Sequence, residues 1–201
     1  MNNYLSGIDV SHYQGTVNWN AVKAAGIQFA FAKATEGSSN VDQQFSTNWQ
    51  GMAAAGLVRG TYHFFETNVD PVAQATHFLA TLQAAGGLQS GDMAPVVDIE
   101  AMSGSFNNQT LSNNLQAWLD QVAQNLGRTP IIYTSSGFWN SNMNAQFGTY
   151  PLWIANYGVS QPTLPTGWSS WAYWQYSQSG SVAGVNGAVD CDYFAGDVSQ
   201  L

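Results

Sequence analysis

Eight short apolar segments punctuate the chain, at residues 7–11, 28–33, 58–64, 95–100, 130–134, 152–156, 170–176 and 188–194. Most end in polar or aromatic residues, and the first five are separated by stretches that carry helical signals. Residues 19–25 form a short one that stops at Gly26, and residues 42–55 keep their apolar positions on one face and stop at Gly56. Residues 71–85 open on Asp70-Pro71, an N-cap followed by proline at the first helical position, and stop at Gly86-Gly87. Over 109–126, Leu111, Leu115, Trp118, Leu119, Val122 and Leu126 recur at helical period before Gly127. One further helix is expected within 135–147. Strand alternating with helix predicts parallel β/α units.

The pattern changes after residue 134. Pro162, Pro165 and two glycines lie between 156 and 170, and a Gly/Ser-rich stretch lies between 176 and 188. Neither connection reads as helical, whereas parallel strands need a crossover of a dozen or more residues. The last strands are therefore expected to include an antiparallel one. Eight strands with about five helices make an α/β fold, a reduced TIM-like β/α barrel. Its 201 residues fall short of the ~250 typical of a full barrel. No linker or internal repeat is visible, so a single domain over 1–201 is expected.

Charge narrows the chemistry. Only Lys23, Lys33, Arg59 and Arg128 carry fixed positive charge against 12 acids, for a net charge of −8. A nucleic-acid partner held by a basic surface is excluded, and attraction to an anionic membrane is unfavourable. An enzyme with this balance acting on an anionic polymer is expected to work best at acid pH. Cys191 is the sole cysteine, which leaves no intrachain disulfide and no cysteine-based metal cluster. The first residues lack a basic segment followed by an apolar one, so no signal peptide is expected here. No apolar stretch approaches the ~18 residues of a membrane span.

With charge this scarce, Asp98 and Glu100 at the end of the run Ala-Pro-Val-Val-Asp-Ile-Glu (94–100) need a reason. Residues i and i+2 of a strand point to one side, roughly 6–7 Å apart. Two carboxyls facing one space suit glycoside hydrolysis. In β/α barrels the active site lies at the carboxyl ends of the strands. Those ends offer Asp9 and His12, Lys33 and Glu36, Tyr62 and His63, Asp98 and Glu100, Tyr133, Asn156 and Tyr157, then Trp174, Gln175 and Tyr176, and last Asp190 and Asp192. Acids, amides and aromatics predominate, as expected of a neutral-sugar cleft. Clustered acids also raise one another's pKa, which helps one of them donate a proton. His12 and His63 fit no compact metal motif and are expected to be hydrogen-bonding struts. Cys191, between Asp190 and Asp192, is expected on the opposite face as an inert packing thiol.

Ordered motifs over nearly the whole chain resemble one family. They are Gly-Ile-Asp-Val-Ser-His-Tyr-Gln-Gly (7–15) with Val-Asn-Trp (17–19), Phe-Ala-Phe-Ala-Lys-Ala-Thr-Glu-Gly (29–37), Arg-Gly-Thr-Tyr-His-Phe (59–64) and Val-Val-Asp-Ile-Glu (96–100). Pro-Ile-Ile-Tyr-Thr (130–134), Leu-Trp-Ile-Ala-Asn-Tyr (152–157), Trp-Gln-Tyr (174–176) and Val-Asp-Cys-Asp-Tyr-Phe (189–194) complete the set. The chain resembles glycoside hydrolase family 25 lysozymes. The resemblance implies an N-acetylmuramidase on a modified β/α barrel that cleaves the β-1,4 bond from N-acetylmuramic acid to N-acetylglucosamine in peptidoglycan, without metal or other cofactor. Glu100 matches the general acid. Asp98 matches the partner carboxylate, as nucleophile or as the group that orients the substrate's acetamido function. Asp9 and Asp190 match supporting acids of the cleft floor. Tyr62, Lys33, Tyr133, Tyr157 and Trp174 match positions that line sugar subsites. Asp192 stands where the family pattern often has Asn, so either Asp190 or Asp192 could face the sugar.

The expected partner is therefore the peptidoglycan glycan strand, met by a monomer acting on the cell wall after export or phage-mediated release. Three rival readings stand beside it. A sugar-binding module descended from an enzyme is disfavoured by the intact acid set. A metal-dependent carbohydrate deacetylase would be betrayed by chelator sensitivity, and a chitin-directed hydrolase by its products.

Overall fold

The computed structural model describes residues 4–201. Its strands are β1 (Leu5–Val10), β2 (Phe29–Glu36), β3 (Asn40–Val41), β4 (Val58–Phe64), β5 (Val96–Asp98), β6 (Ile131–Ser135), β7 (Leu152–Ala155), β8 (Tyr173–Gly180) and β9 (Val189–Phe194). Its helices are α1 (Trp19–Ala24), α2 (Phe45–Ala54), α3 (Pro71–Ala84), α4 (Asn108–Leu126) and α5 (Ser136–Asn142). The sheet runs β1-β9-β8-β7-β6-β5-β4-β2 and closes through β1 against β2, with the two-residue β3 added to the outer edge of β2. The eight closing strands are the eight apolar segments.

Neighbours from β1 through β2 and β4 to β8 pair in parallel, while β9 is antiparallel to both β8 and β1. The expected antiparallel strand is thus the last one. It follows β8 through a turn region with no helix, and a parallel return would have needed a longer crossover. Strand β8 extends past the expected Tyr176 to Gly180, because Ser177 and Gly180 find partners in Cys191 and Val189 of β9. Strand β5 stops at Asp98, two residues before the end of its apolar run.

Period-2 alternation sorts the side chains into two cores. Facing in are Phe29, Phe31, Val96, Ile131, Tyr133, Trp153, Tyr173 and Phe194. Facing out, under the helices, are Ile8, Ala30, Ala32, Val97, Ile132, Ile154 and Cys191, met by Leu111, Leu115, Trp118, Leu119 and Val122 of α4. Cys191 therefore lies on the outer face, as its position between two aspartates predicts. Helix caps follow the sequence signals: Asp70 accepts from Ala73 N–H at 2.8 Å, and Gly127 ends α4 at φ 64°.

The inner core is tight enough to demand glycine. A Cβ on Gly60 would lie 2.4 Å from the Phe31 ring, and one on Gly7 would lie 2.3 Å from the Phe29 ring. The missing side chains let two phenylalanines fill the lower barrel. Phe31 then stacks on Trp153, with ring centroids 4.4 Å apart. This packed floor closes the barrel below the end where the parallel strands terminate.

Candidate active site

A cavity of about 200 Å³ opens at that end of the barrel. Four acids reach it: Asp9, Asp98, Glu100 and Asp190. Asp9 sits one residue from the end of β1, opposite Asp190 of β9. Asp98 is the last residue of β5, beside Phe64 of β4 and Tyr133 of β6. Val97 and Ile99 turn outward into the helix layer, so Asp98 and Glu100 share the cavity side. Asp98 is 6% exposed, whereas Glu100 lies past the strand end and is exposed. Tyr62, Tyr133, Tyr157, Trp153, Gln175 and Gln178 complete the wall.

A hydrogen-bond network fixes the floor. Gln175 Nε2 donates to Asp9 Oδ2 at 2.7 Å. The Tyr133 and Tyr157 hydroxyls both donate to Gln175 Oε1, at 2.8 and 2.5 Å. The Tyr133 hydroxyl also lines the cavity with Glu100 and favours its ionised form. A tyrosine has one proton to give. While that proton lies on Gln175, it is not available to hold the Glu100 carboxylate in its ionised form.

All four acids are pushed up from the ordinary carboxylate range. For Glu100 the main cause is loss of water, then the Asp190 charge, with Tyr133 and Lys33 opposing. For Asp98 it is burial, then the Glu100 charge, with Lys33 again opposing. Asp98 Oδ1 is also enclosed without a hydrogen-bond partner, which disfavours the ionised form further. Asp9 is raised by burial and by Asp192 and Asp190, and Asp190 by burial. The Tyr62 and Tyr133 hydroxyls are raised by burial and by the acids around them, so they act as neutral donors.

Three expected sugar-lining residues do not reach the cavity wall. Lys33 faces inward but pairs with Glu36 at 2.5 Å and lies over the Phe64 ring. Its charge is felt by Asp98 and Glu100 without its side chain lining the space. Trp174 faces outward: its Nε1 donates to Asn156 O at 2.8 Å, and its ring packs against Trp171, Tyr176 and Tyr193. Asp192 is fully enclosed below Asp190. The reason is strand direction. Because β9 runs downward, its amino end meets the mouth, and a rule built on carboxyl ends misjudges the depth of its second aspartate.

Trp153, Gln175 and Gln178 are wall residues that strand-end reasoning left without a role. Alternation within Leu152-Trp153-Ile154 carries the signal for Trp153. The length of β8 hides Gln178. The histidines act as struts: His12 Nδ1 pairs with Asp42 Oδ2 at 2.7 Å. His63 lies between Thr35 Oγ1 and Gln74 Oε1, and burial lowers its pKa to about 3. Among the described residues, no three His, Cys, Asp or Glu side chains form a group that could hold a metal ion. No helix among them is long and apolar enough to cross a membrane.

Known proteins are similar to this chain in sequence and fold. The model of glycosyl hydrolases family 25 matches residues 8–185. Lysozyme M1 of Streptomyces globisporus is 39% identical over 209 residues, covering 98% of this chain and 70% of that protein. The N,O-diacetylmuramidase of Chalaropsis sp is 34% identical, covering 92% of this chain and 96% of its own length. The crystal structure of the bacterial lysozyme from Streptomyces coelicolor superposes with a TM-score of 0.93 at 36% identity. That match covers 100% of this chain and 96% of the other.

Proposed function

The chain belongs to glycosyl hydrolases family 25, and from that premise we propose that it is an N-acetylmuramidase cleaving the β-1,4 bond between N-acetylmuramic acid and N-acetylglucosamine in peptidoglycan. One observation carries the reading: Asp98 and Glu100, two residues apart at the end of β5, open together into a cavity whose floor is Asp9 and Asp190 and whose wall is tyrosine and glutamine. The cavity is smaller than the roughly 300–1,000 Å³ that holds a drug-sized ligand. It encloses the reacting sugar of a polymer and leaves the rest of the strand outside.

Glu100 is the general acid. Partial withdrawal from water at the cavity rim and the Asp190 charge favour its protonated form, and the part of the side chain left exposed places the proton where a glycosidic oxygen can take it. Asp98 is the partner carboxylate. Burial raises it as well, so the two acids titrate as a coupled pair. The productive form carries the proton on Glu100 and the charge on Asp98. From there Asp98 attacks the anomeric carbon or orients the substrate acetamido group that does so. Asp9 and Asp190 add negative charge beneath the developing oxocarbenium ion. Tyr62, Tyr133 and Tyr157 supply neutral ring and hydroxyl contacts to the sugar. Residues 1–201 act as a single catalytic domain, as a monomer, on wall material reached after export or phage-mediated release.

Digestion of defined peptidoglycan, with mass spectrometry of the fragments, tests this. New reducing ends on N-acetylmuramic acid are expected. New ends on N-acetylglucosamine, or cleavage of chitin in preference to wall, would contradict it.

A further inference from the structure

Asp192 is a fully enclosed acid that the reaction does not touch. It sits in register with Gly7 of β1 and Gln175 of β8. Trp153 Nε1 donates to its Oδ1 at 2.9 Å. Its Oδ2 is enclosed and meets no N–H or O–H of the protein. Asp9 is its diagonal neighbour across the β1–β9 pairing, on the same face, and Gln175, in register with Asp192, reaches the Asp9 carboxyl. Two ionised carboxylates cannot bond to each other, and a buried oxygen without a donor is costly. A proton between Asp9 and Asp192 satisfies the orphan oxygen and removes one of two adjacent buried charges.

We propose that Asp9 and Asp192 share a single proton and work as one acid–carboxylate unit, in which Asp192 is the positioning residue that holds Asp9 in place at the base of the cavity. Asp9 is then gripped from two sides, by Asp192 below and by Gln175 Nε2 at 2.7 Å. Because Gln175 turns its nitrogen to Asp9, its oxygen points to Tyr133 and Tyr157. One buried proton thereby sets the orientation of an amide and two hydroxyls along the cavity wall. It also leaves one negative charge rather than two under the site.

Other charged and titratable groups face the pair. Asp190 lies on the same strand as Asp192 and raises both members. Asp98 of β5 also raises Asp9, and the Tyr62 and Tyr133 hydroxyls of β4 and β6 feel the Asp9 charge. Cys191 lies on the opposite face of β9, where its thiol feels both acids. Lys33 of β2 acts on Asp98 and Glu100. The neighbours that bear on the pair are therefore acidic or neutral, which favours retention of the shared proton. The pair takes up and releases its protons in two steps that belong to both residues.

The test is carbon NMR of the aspartate carboxyls through a pH titration, on the whole protein and without substrate. The parent should show two coupled signals, with the upper step well above the ordinary carboxylate range. In Asp192→Asn the amide can accept from Trp153 and donate to Asp9. The upper step should vanish, and Asp9 should titrate once, at lower pH. Two signals titrating together in the ordinary range in the parent, or an upper step that survives in Asp192→Asn, would overturn the proposal. If Asp192→Asn does not fold, Asp9→Asn gives the mirror-image titration of Asp192 with the same two outcomes. The consequence for catalysis rests on the muramidase reading, and the alkaline limb of the kcat/KM profile should move in Asp192→Asn. The titration itself needs no turnover. A protein that lyses no wall yet shows the two-step behaviour would sink the muramidase reading and leave the shared proton standing.

Discussion

Exchanging Gln175 for glutamate tests the network under the cavity with a change of almost no volume. In the parent, Nε2 donates to Asp9 Oδ2 while Oε1 accepts from two tyrosines. In Gln175→Glu one oxygen can keep both tyrosine hydroxyls. The other faces Asp9 with no proton between them. Two unit charges 2.7 Å apart repel by about 6 kcal/mol at an effective dielectric of about 20. The folded variant escapes this by binding one extra proton, so the new acid's folded pKa lies above its unfolded value of ~4.3. The penalty is therefore absent below about pH 4.3 and grows by ~1.4 kcal/mol per unit as pH rises. By about pH 7.3 it reaches ~4 kcal/mol, inside the limit set by the repulsion. Urea unfolding of parent and variant at both pH values measures the difference directly. Near-equal stability at the acid value and a deficit of ~4 kcal/mol at the neutral one are expected. A deficit of the same size at both would refute the assigned amide orientation and its bond to Asp9.

Two further outcomes follow from the same geometry. Asp98→Asn should fold like the parent but lose ~10²-fold or more in wall lysis, the usual scale of acid–base and charge-stabilising roles; a rate within a few-fold of the parent would remove Asp98 from the chemistry. Gly60→Ala should cost ~1–3 kcal/mol in urea unfolding, because its Cβ meets Phe31 at 2.4 Å and Phe31 is backed by Trp153. An unchanged midpoint would mean that the inner core is looser than these contacts imply.

The barrel was legible because its strands are sandwiched. Inner and outer faces are both buried, so each strand reads as a short apolar run, and eight such runs became the eight barrel strands. The missing helices after residue 156 foretold the antiparallel strand. Two-residue β3 had no run to announce it. Its pairing with Thr35 and Glu36 of β2 is a short hairpin across the turn at 37–39, too brief to leave an alternating pattern.

At the site, the i, i+2 rule brought Asp98 and Glu100 to one side, and motif order brought Asp9 and Asp190 to the same mouth. Alternation gives relative faces but not depth. Asp190 and Asp192 share a face, and only the downward course of β9 makes one the floor and buries the other. Trp174 misled for a related reason. Both faces of β8 accept aromatic rings, so an indole there carries no sign of which way it points. Gln175 carried the signal instead, since an amide between two aromatics in a buried strand needs polar partners inside. Lys33 faces the barrel interior, as its strand position requires, but Glu36 three residues on draws its ammonium away from the cavity.

The claim that Glu100 delivers the proton is tested most directly by the lysis rate of Glu100→Gln on bacterial cell-wall suspensions, with folding checked by circular dichroism. The variant should keep the parent's spectrum and lose nearly all turbidity-clearing activity. Clearance at close to the parent rate by a correctly folded Glu100→Gln would contradict the account.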